Sequence, residues 1–196
     1  MKNIDKYYEN TKSDQPTKNV EYFIKNIKYK SGIATELGCG IGNDTIYLIK
    51  NNWKVIAIDK ENLEERIRNR LKDDEQKRLK FQKQYFETIE LQKSNLIIAN
   101  YSLPFCNKNK FEELWNKIKT NIIKDGYFIG TFFGINDDWH EERTEMTFLE
   151  KEQVLKLFKE FEIIKFKEIE KDGLTRLGKE KHWHIFTIIA KKIKSI

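Results

Sequence analysis

The sequence is poor in the residues that characterise secreted, disulfide-rich or membrane-spanning proteins. It contains two cysteines, two prolines and three histidines among 196 residues. Two cysteines do not suggest a disulfide framework in a chain of this size, so a reducing compartment is expected. The first residues lack the apolar stretch of a signal peptide, and no uninterrupted apolar run approaches membrane-spanning length. We therefore expect a cytoplasmic chain that does not insert into a membrane.

Length and charge narrow the class of protein further. Hydrophobic residues make up 39% of the chain and aromatic residues 13%, which is enough to fill one buried core. We expect a single domain over residues 1–196. The formal net charge is +6 and the pI is near 9.1, but basic residues are interleaved with acidic ones along the chain. This distribution is typical of solvated helix faces, so no nucleic-acid partner is expected.

One stretch has the pattern of a ligand-binding turn. An apolar strand over residues 34–37 is followed by Gly38, Gly40 and Gly42, and then by the start of a helix. Glycines there let the backbone turn tightly and approach a ligand closely, and the free N–H groups of the new helix attract negative charge. A second apolar strand ends in Asp59, about twenty residues after Gly38, the spacing that places an acid under a ribose. The stretch therefore predicts a nucleoside-binding site.

The turn differs from the dinucleotide fingerprint in two respects. That fingerprint requires a third glycine three residues after the second, and residue 43 is an asparagine. Glu36, at the end of the first strand, would repel a pyrophosphate. A carboxylate at this position suits a ligand with a cationic end, such as the ammonium and sulfonium groups of S-adenosylmethionine.

The same residues resemble the first motif of the class I S-adenosylmethionine-dependent methyltransferases, acid-x-Gly-x-Gly-x-Gly. The match runs from Glu36 to Gly42 and is followed by Asp59 at the end of the second strand. In detail the chain is similar to the small bacterial branch that includes the tellurite-resistance and thiopurine methyltransferases, which act on small molecules. The resemblance implies S-adenosylmethionine as the cofactor and S-adenosylhomocysteine as its product.

The order of apolar segments agrees with the α/β fold of that family. Further runs typical of strands, with helical stripes between them, cover residues 79–82, 95–99, 127–133, 163–169 and 183–190. The resemblance implies a doubly wound, Rossmann-like, mostly parallel sheet of seven strands with helices on both faces. Its expected strand order is 3-2-1-4-5-7-6, with the seventh strand antiparallel. Residues 1–30 are expected to form a helical cap over the cofactor site.

The residues predicted to bind the cofactor lie in the motif, at strand ends and in the N-terminal cap. They are Tyr8, Glu36, Gly38, Cys39, Gly40, Asp44, Asp59, Lys60, Phe86 and Asn100. Tyr8 either reaches the methionine carboxylate or packs its segment against the sheet. The adenine contact also stays open, because Gln84 or Tyr85 stands where the family usually has an acid. Phe86 is expected to cover the adenine ring.

Two residues are candidates for a catalytic base. Tyr101 follows the fourth strand, near the switch point where ligands bind in open α/β sheets. His140 lies in a polar loop over residues 134–147 that is expected to hold the acceptor. A base is needed only if the acceptor is a hydroxyl or a protonated amine.

The loop that contains His140 also predicts the charge of the acceptor. Its acidic residues would repel phosphates and suit an uncharged or cationic molecule of modest size; they are Asp137, Asp138, Glu141 and Glu142. Trp139 and Trp183 either wall an apolar substrate pocket or pack at its rim.

The three histidines do not predict a metal site. His182 and His184 lie two apart on a predicted strand and so share a face, but the spacing supplies no carboxylate or thiolate partner for them or for His140. Methyl transfer from a sulfonium needs no metal, and none is expected.

These patterns predict a methyltransferase that moves a methyl group from S-adenosylmethionine to a small-molecule acceptor. Two alternatives remain open: an RNA methyltransferase, and a non-catalytic protein that keeps the cofactor fold as a sensor or interaction module. A monomer or weak homodimer is expected. The acceptor, the acceptor atom and the use of a base are left open by the sequence.

Overall fold

A computed structural model describes residues 3–27 and 29–193 of the chain. Its strands form a single sheet. They are β1 (Ile33–Leu37), β2 (Lys54–Asp59), β3 (Leu79–Lys83), β4 (Ser94–Ala99), β5 (Ile122–Gly134), β6 (Phe148–Leu149), β7 (Phe161–Leu174) and β8 (Glu180–Lys192).

The sheet has the strand order β3-β2-β1-β4-β5-β8-β7. Strands β1 to β5 are parallel to one another, and β8 runs antiparallel to both β5 and β7. This confirms the predicted order, with β8 in the place of the expected seventh strand and β7 in that of the sixth. The expected number of strands was wrong by one. The short β6 adds to β5 through pairs at Phe133 and Gly134, because the chain beyond β5 folds back onto the end of that strand.

Helices lie between the strands. They are α1 (Asn3–Thr11), α2 (Lys18–Asn26), α3 (Asn43–Lys50), α4 (Glu64–Arg68), α5 (Asp73–Gln76), α6 (Phe111–Asn121), α7 (Trp139–Glu142) and α8 (Lys151–Leu157), with a 3-10 turn at Leu103–Phe105. Within the described residues, no helix combines the length and the apolar character needed to cross a membrane.

The hydrophobic core has two layers because successive residues of a strand point to opposite faces of the sheet. On one face, Phe128 and Phe132 of β5 pack against Trp115 of α6, with ring centroids 5.1 Å and 6.0 Å apart. On the other face, Tyr127 packs against Phe23 of α2 at 5.1 Å. The predicted arrangement with helices on both faces is thereby confirmed.

A buried lysine joins β8 to the end of α6. The Lys192 ammonium donates hydrogen bonds to the carbonyl oxygens of Lys119, at 2.6 Å, and Ile122, at 2.9 Å. These carbonyls lie at the carboxyl end of the helix, where a cation is favourable.

Lys192→Met should therefore lower the free energy of unfolding by about 1–3 kcal/mol, as measured by urea denaturation. The matched control is Lys191→Met, which removes only the exposed pair with Asp125 and should cost less than about 1 kcal/mol. Equal losses in the two variants would contradict this role of Lys192.

Candidate active site

The glycine turn links the end of β1 to the start of α3 and is fastened to β2. The N–H groups of Gly38 and Cys39 both donate to the Ile58 carbonyl, at 2.8 Å and 3.0 Å. Gly38 has a φ of 69°, and an added Cβ would lie 2.4 Å from the Cβ of Ser102, so only glycine fits there. Gly40 has a φ of 52°, and its Cβ position would meet only a Tyr8 ring carbon, at 3.9 Å. The backbone at Gly40 is thus open to close approach.

Asp59 fixes the geometry between the turn and β2. One carboxylate oxygen accepts the Gly40 N–H at 2.8 Å, and the other accepts the Glu61 N–H at 3.0 Å. The residue is 8% exposed, and burial raises the pKa of its carboxyl. Since a carboxylate has about four acceptor positions, Asp59 keeps capacity for further donors. The neighbouring Lys60 is exposed.

Three buried carboxyl groups surround the turn: Glu36, Asp44 and Asp59. Glu36 accepts a hydrogen bond from the Thr45 hydroxyl. Burial raises the pKa of Glu36 well above its usual range, and the charges of Asp44 and Asp59 add to this effect. The electrostatic environment therefore disfavours an additional anion and favours a cation.

The shifted pKa of Glu36 predicts how stability changes with pH. Below the unfolded-state pKa of about 4.3 the carboxyl is protonated in both the folded and the unfolded state, so it adds no pH dependence to the free energy of unfolding. As the pH rises, the unfolded chain releases this proton while the folded chain retains it, so folding becomes less favourable. Glu36→Gln should therefore gain stability relative to the parent between pH 5 and pH 8, as measured by urea unfolding at both values. A stability difference that is the same at both pH values would contradict this assignment.

Asp44 and Asn100 meet over the switch point between β1 and β4. The Asp44 carboxylate accepts the Thr17 N–H at 2.6 Å and the Thr17 hydroxyl at 2.9 Å. The Asn100 amide donates to the same carboxylate at 2.9 Å and to the Thr17 hydroxyl at 2.8 Å. These bonds hold the segment between α1 and α2 against the sheet. Sequence reasoning did not select Thr17, whose only signal is its position before α2.

Helix α1 lies over the glycine turn. Tyr8 is 6% exposed and packs with Ile41 and Leu63. This is the packing alternative foreseen for Tyr8, and a role for its hydroxyl stays a prediction. Cys39 is buried, and burial raises the pKa of its thiol well above the usual range, so it is not an activated nucleophile.

The segment after β3 is held mainly by backbone hydrogen bonds. The Gln84 N–H donates to the Asp59 carbonyl at 3.0 Å, and the Gln84 side-chain oxygen accepts the Glu90 N–H at 2.9 Å. Tyr85 is exposed. Phe86 is half-buried and packs against the core on the α6 face of the sheet. A contact between Phe86 and an adenine ring stays a prediction.

Tyr101 stands directly after β4 in a strained conformation. Its φ is 52°, which is uncommon for a bulky residue, and its side chain is 46% exposed. Burial of the hydroxyl raises the pKa of Tyr101, so the phenol is protonated at neutral pH and serves better as a hydrogen-bond donor than as a base.

His140, the other candidate base, is on a different element from Tyr101. It lies exposed on α7, with its ring 5.1 Å from that of Phe148. It lines a small cavity of about 140 Å³ with Lys108, Thr144, Met146 and Phe148. Among the described residues, no hydrogen bond joins His140 to Tyr101, so the two candidate bases do not form one catalytic pair.

Two acids of the loop after β5 bind the protein itself, and for Asp137 this corrects the expectation that it faces the acceptor. Asp137 is buried and forms an ion pair with Lys181; its carboxylate also accepts the N–H groups of Trp139 and His184. Asp138 accepts the His182 N–H at 2.6 Å. Both residues thereby fasten the loop to β8. Glu141 and Glu142 are exposed.

The ammonium of Lys181 lies among three aromatic rings. It is 3.8 Å from the ring centre of Trp183, 4.5 Å from that of Trp139 and 5.3 Å from that of Phe133. The two indole rings also contact each other edge to face, at 5.6 Å. Trp139 and Trp183 thus support the loop, in agreement with the rim-packing alternative.

The histidines of β8 do find carboxylate partners, contrary to the expectation from their spacing. Glu168, Glu170 and His184 place possible ligand atoms within 4.8 Å of one another. The β7–β8 register sets Glu170 directly opposite His184. His184 Nδ1 accepts the Asn136 N–H at 3.2 Å, so in the neutral ring Nε2 carries the proton and lies 3.2 Å from Glu168. Hydrogen bonds within the protein therefore account for this cluster.

The fold and the turn define a Rossmann-like methyltransferase architecture, and comparison with known proteins places the chain in a family. Residues 30–182 match the family described as "Methyltransferase domain". The chain belongs to this family. The class inferred from the Glu36–Gly42 motif is thereby confirmed.

Individual relatives are distant. Carboxy-S-adenosyl-L-methionine synthase of Sulfurimonas denitrificans is 30% identical over 114 residues, which are 56% of this chain and 48% of that protein. The chain thus matches about half the length of this relative. TehB from Haemophilus influenzae superposes with a TM-score of 0.73 at 15% identity, covering 90% of this chain and 62% of TehB. Magnesium protoporphyrin IX methyltransferase (ChlM) from Synechocystis PCC 6803, with bound S-adenosylhomocysteine, gives 0.71 at 12% identity, covering 96% and 94%.

Proposed function

We propose that the chain is an S-adenosylmethionine-dependent methyltransferase whose acceptor is a small molecule. The observation that carries the proposal is the turn from Gly38 to Gly42, with its open backbone at Gly40 and three carboxyl groups around it. Family membership supports the reaction class. The magnesium protoporphyrin IX methyltransferase, which has this fold, is named for a small-molecule substrate and has S-adenosylhomocysteine bound.

The residues at the turn fit S-adenosylmethionine in shape and charge. Gly40 leaves room beside the backbone that a Cβ would fill. Asp59 would accept the ribose hydroxyls with its remaining lone pairs. A bound cation would favour ionisation of Glu36, whose carboxylate would then pair with the cationic methionine end, and Tyr8 would cover the turn. When bound, S-adenosylmethionine would supply a methyl group that its sulfonium makes electrophilic.

The chain's own contribution to the reaction is to position the acceptor and exclude water. The hydrogen bonds of Asp44 and Asn100 to Thr17 keep the segment after α1 closed over the switch point. Tyr101 lies at that point with a protonated hydroxyl that would orient the acceptor by donating a hydrogen bond. Holding two reactants in line converts a bimolecular step into an effectively unimolecular one and lowers the entropic part of the barrier.

A small-molecule acceptor is supported by the distribution of charge. Basic residues are spread among acidic ones along the sequence, and no cluster of them is free of neighbouring acids. Many are paired with acids, as Arg66 is with Asp5 and Glu9.

The test is a transfer assay with methyl-labelled S-adenosylmethionine and a cell metabolite extract, with total tRNA as a parallel acceptor. We expect label to appear in a small-molecule fraction while S-adenosylhomocysteine accumulates. Transfer to tRNA would favour the RNA enzyme, and binding without turnover would favour the sensor.

The curated relative is named as a synthase of carboxy-S-adenosylmethionine. Mass spectrometry of the nucleoside products therefore distinguishes methyl transfer from carboxylation of the cofactor.

A further inference from the structure

Exposed apolar side chains are concentrated at one edge of the sheet. Seven of the eleven large ones among the described residues lie at the carboxyl ends of the parallel strands or on α1, which packs beside them. They are Ile4, Tyr7, Tyr85, Tyr101, Phe105, Ile135 and Leu174. Exposed apolar side chains that gather on one side of a protein can mark a ligand-binding site.

Two of these residues are aromatic and flank a turn that hydrogen bonds fix on both sides. Tyr101 and Phe105 are 46% and 50% exposed and flank the turn after β4. Between them, the Ser102 hydroxyl donates to the Leu37 carbonyl at 2.6 Å, and the Pro104 carbonyl accepts the Thr147 N–H at 2.9 Å. The turn is therefore held to β1 on one side and to the loop before β6 on the other.

Phe105 is half exposed and also packs against two other aromatic rings. Its ring centroid lies 6.4 Å from that of Phe133 and 6.1 Å from that of Trp139. Tyr101 is held at a positive φ, which costs free energy in a bulky residue. About half of each residue nevertheless stays exposed to solvent.

Charged groups lie beside these rings, and some of them are paired with one another. Arg176, whose charge acts on the Tyr101 hydroxyl, forms an ion pair with Asp14 at 2.7 Å. Asp137 is paired with Lys181, and Asp138 binds a backbone N–H. The Arg143 guanidinium lies 4.0 Å from the ring centre of Trp139, which Phe105 contacts. The surface around Tyr101 and Phe105 therefore combines exposed aromatic rings with neighbouring charged groups.

We infer that Tyr101 and Phe105 form the acceptor-binding surface, and that the acceptor carries a planar aromatic ring. The inference rests on the proposed methyltransferase function, because it takes the ligand at this edge to be the methyl acceptor. Aromatic rings select planar partners over saturated ones of similar size through offset-stacked and edge-to-face contacts.

The test uses calorimetric titration of the full chain with 2-naphthol and with its saturated counterpart, decahydro-2-naphthol. We expect 2-naphthol to bind about tenfold more tightly than the saturated alcohol. Phe105→Ala and the more conservative Phe105→Leu should each remove most of this preference. The matched control is Leu155→Ala, which truncates an exposed apolar residue on α8 and should leave the preference for 2-naphthol unchanged.

Titration with S-adenosylhomocysteine separates this inference from the proposed function. Both Phe105 variants should keep the parental affinity for it. Equal binding of the two alcohols, or a dimerisation that Phe105→Ala abolishes, would overturn the inference while leaving the proposed function in place. A parent chain that prefers 2-naphthol but does not bind S-adenosylhomocysteine would overturn the proposed function and keep the ring site.

Discussion

Lys181→Met is expected to lower the free energy of unfolding by about 3–5 kcal/mol. The side chains of Lys181 and Asp137 are 2% and 0% exposed, and each is the ionic partner of the other. Removing the ammonium leaves a buried carboxylate without a counter-ion. It also removes the contacts of the cation with three aromatic rings. The measurement is urea denaturation followed by tryptophan fluorescence, since two of these rings are indoles.

A double variant provides the control. In Asp137→Asn/Lys181→Met the buried charge is gone, and the one remaining side-chain oxygen can still accept either the Trp139 or the His184 N–H, which bind different oxygens of Asp137. This variant should therefore be more stable than Lys181→Met alone. If the single variant lost less than about 1 kcal/mol, the ion pair would behave like an exposed one, and its role in fastening the loop would be wrong.

Asp59→Ala is expected to weaken binding of S-adenosylhomocysteine by about ten- to a hundredfold. The substitution removes the acceptor proposed for the ribose hydroxyls. It also frees the Gly40 N–H, which Asp59 accepts at 2.8 Å, and so loosens the turn itself. The measurement is calorimetric titration, with a circular dichroism melting curve to show that the variant is folded.

Asp73→Ala is the matched control, because it removes an exposed carboxylate at the start of α5. It should bind S-adenosylhomocysteine like the parent. Parental affinity in Asp59→Ala would mean that the turn and the end of β2 do not form the cofactor site.

Much of the fold is predictable from the sequence because its signals are local. The apolar runs that became β1, β2 and β4 are nearly continuous, as parallel strands buried on both faces require. The strand order followed from the family resemblance carried by Glu36–Gly42. The two-residue β6 was missed because it is too short to show a period and exists only through its pairing with β5.

The candidate site was predictable only in part, for a related reason. The turn residues and Asp59 lie in a compact motif with fixed spacing. The partners of other residues come from distant segments: Thr17 binds Asp44 and Asn100, and Lys181 binds Asp137. Such pairs depend on how the chain folds back on itself, and no spacing in the sequence reveals them. The expected acceptor role of Asp137 was wrong because it took the charge of this residue to be free, whereas it is paired with Lys181.

The central claim is that the turn binds S-adenosylmethionine and not a dinucleotide. Calorimetric titration of the full chain with S-adenosylhomocysteine and with NAD tests it most directly. The account predicts micromolar binding of S-adenosylhomocysteine and no measurable binding of NAD, because Asn43 replaces the third glycine of the dinucleotide fingerprint and the buried carboxyl groups around the turn offer a pyrophosphate no positive charge. Micromolar binding of NAD without binding of S-adenosylhomocysteine would contradict it.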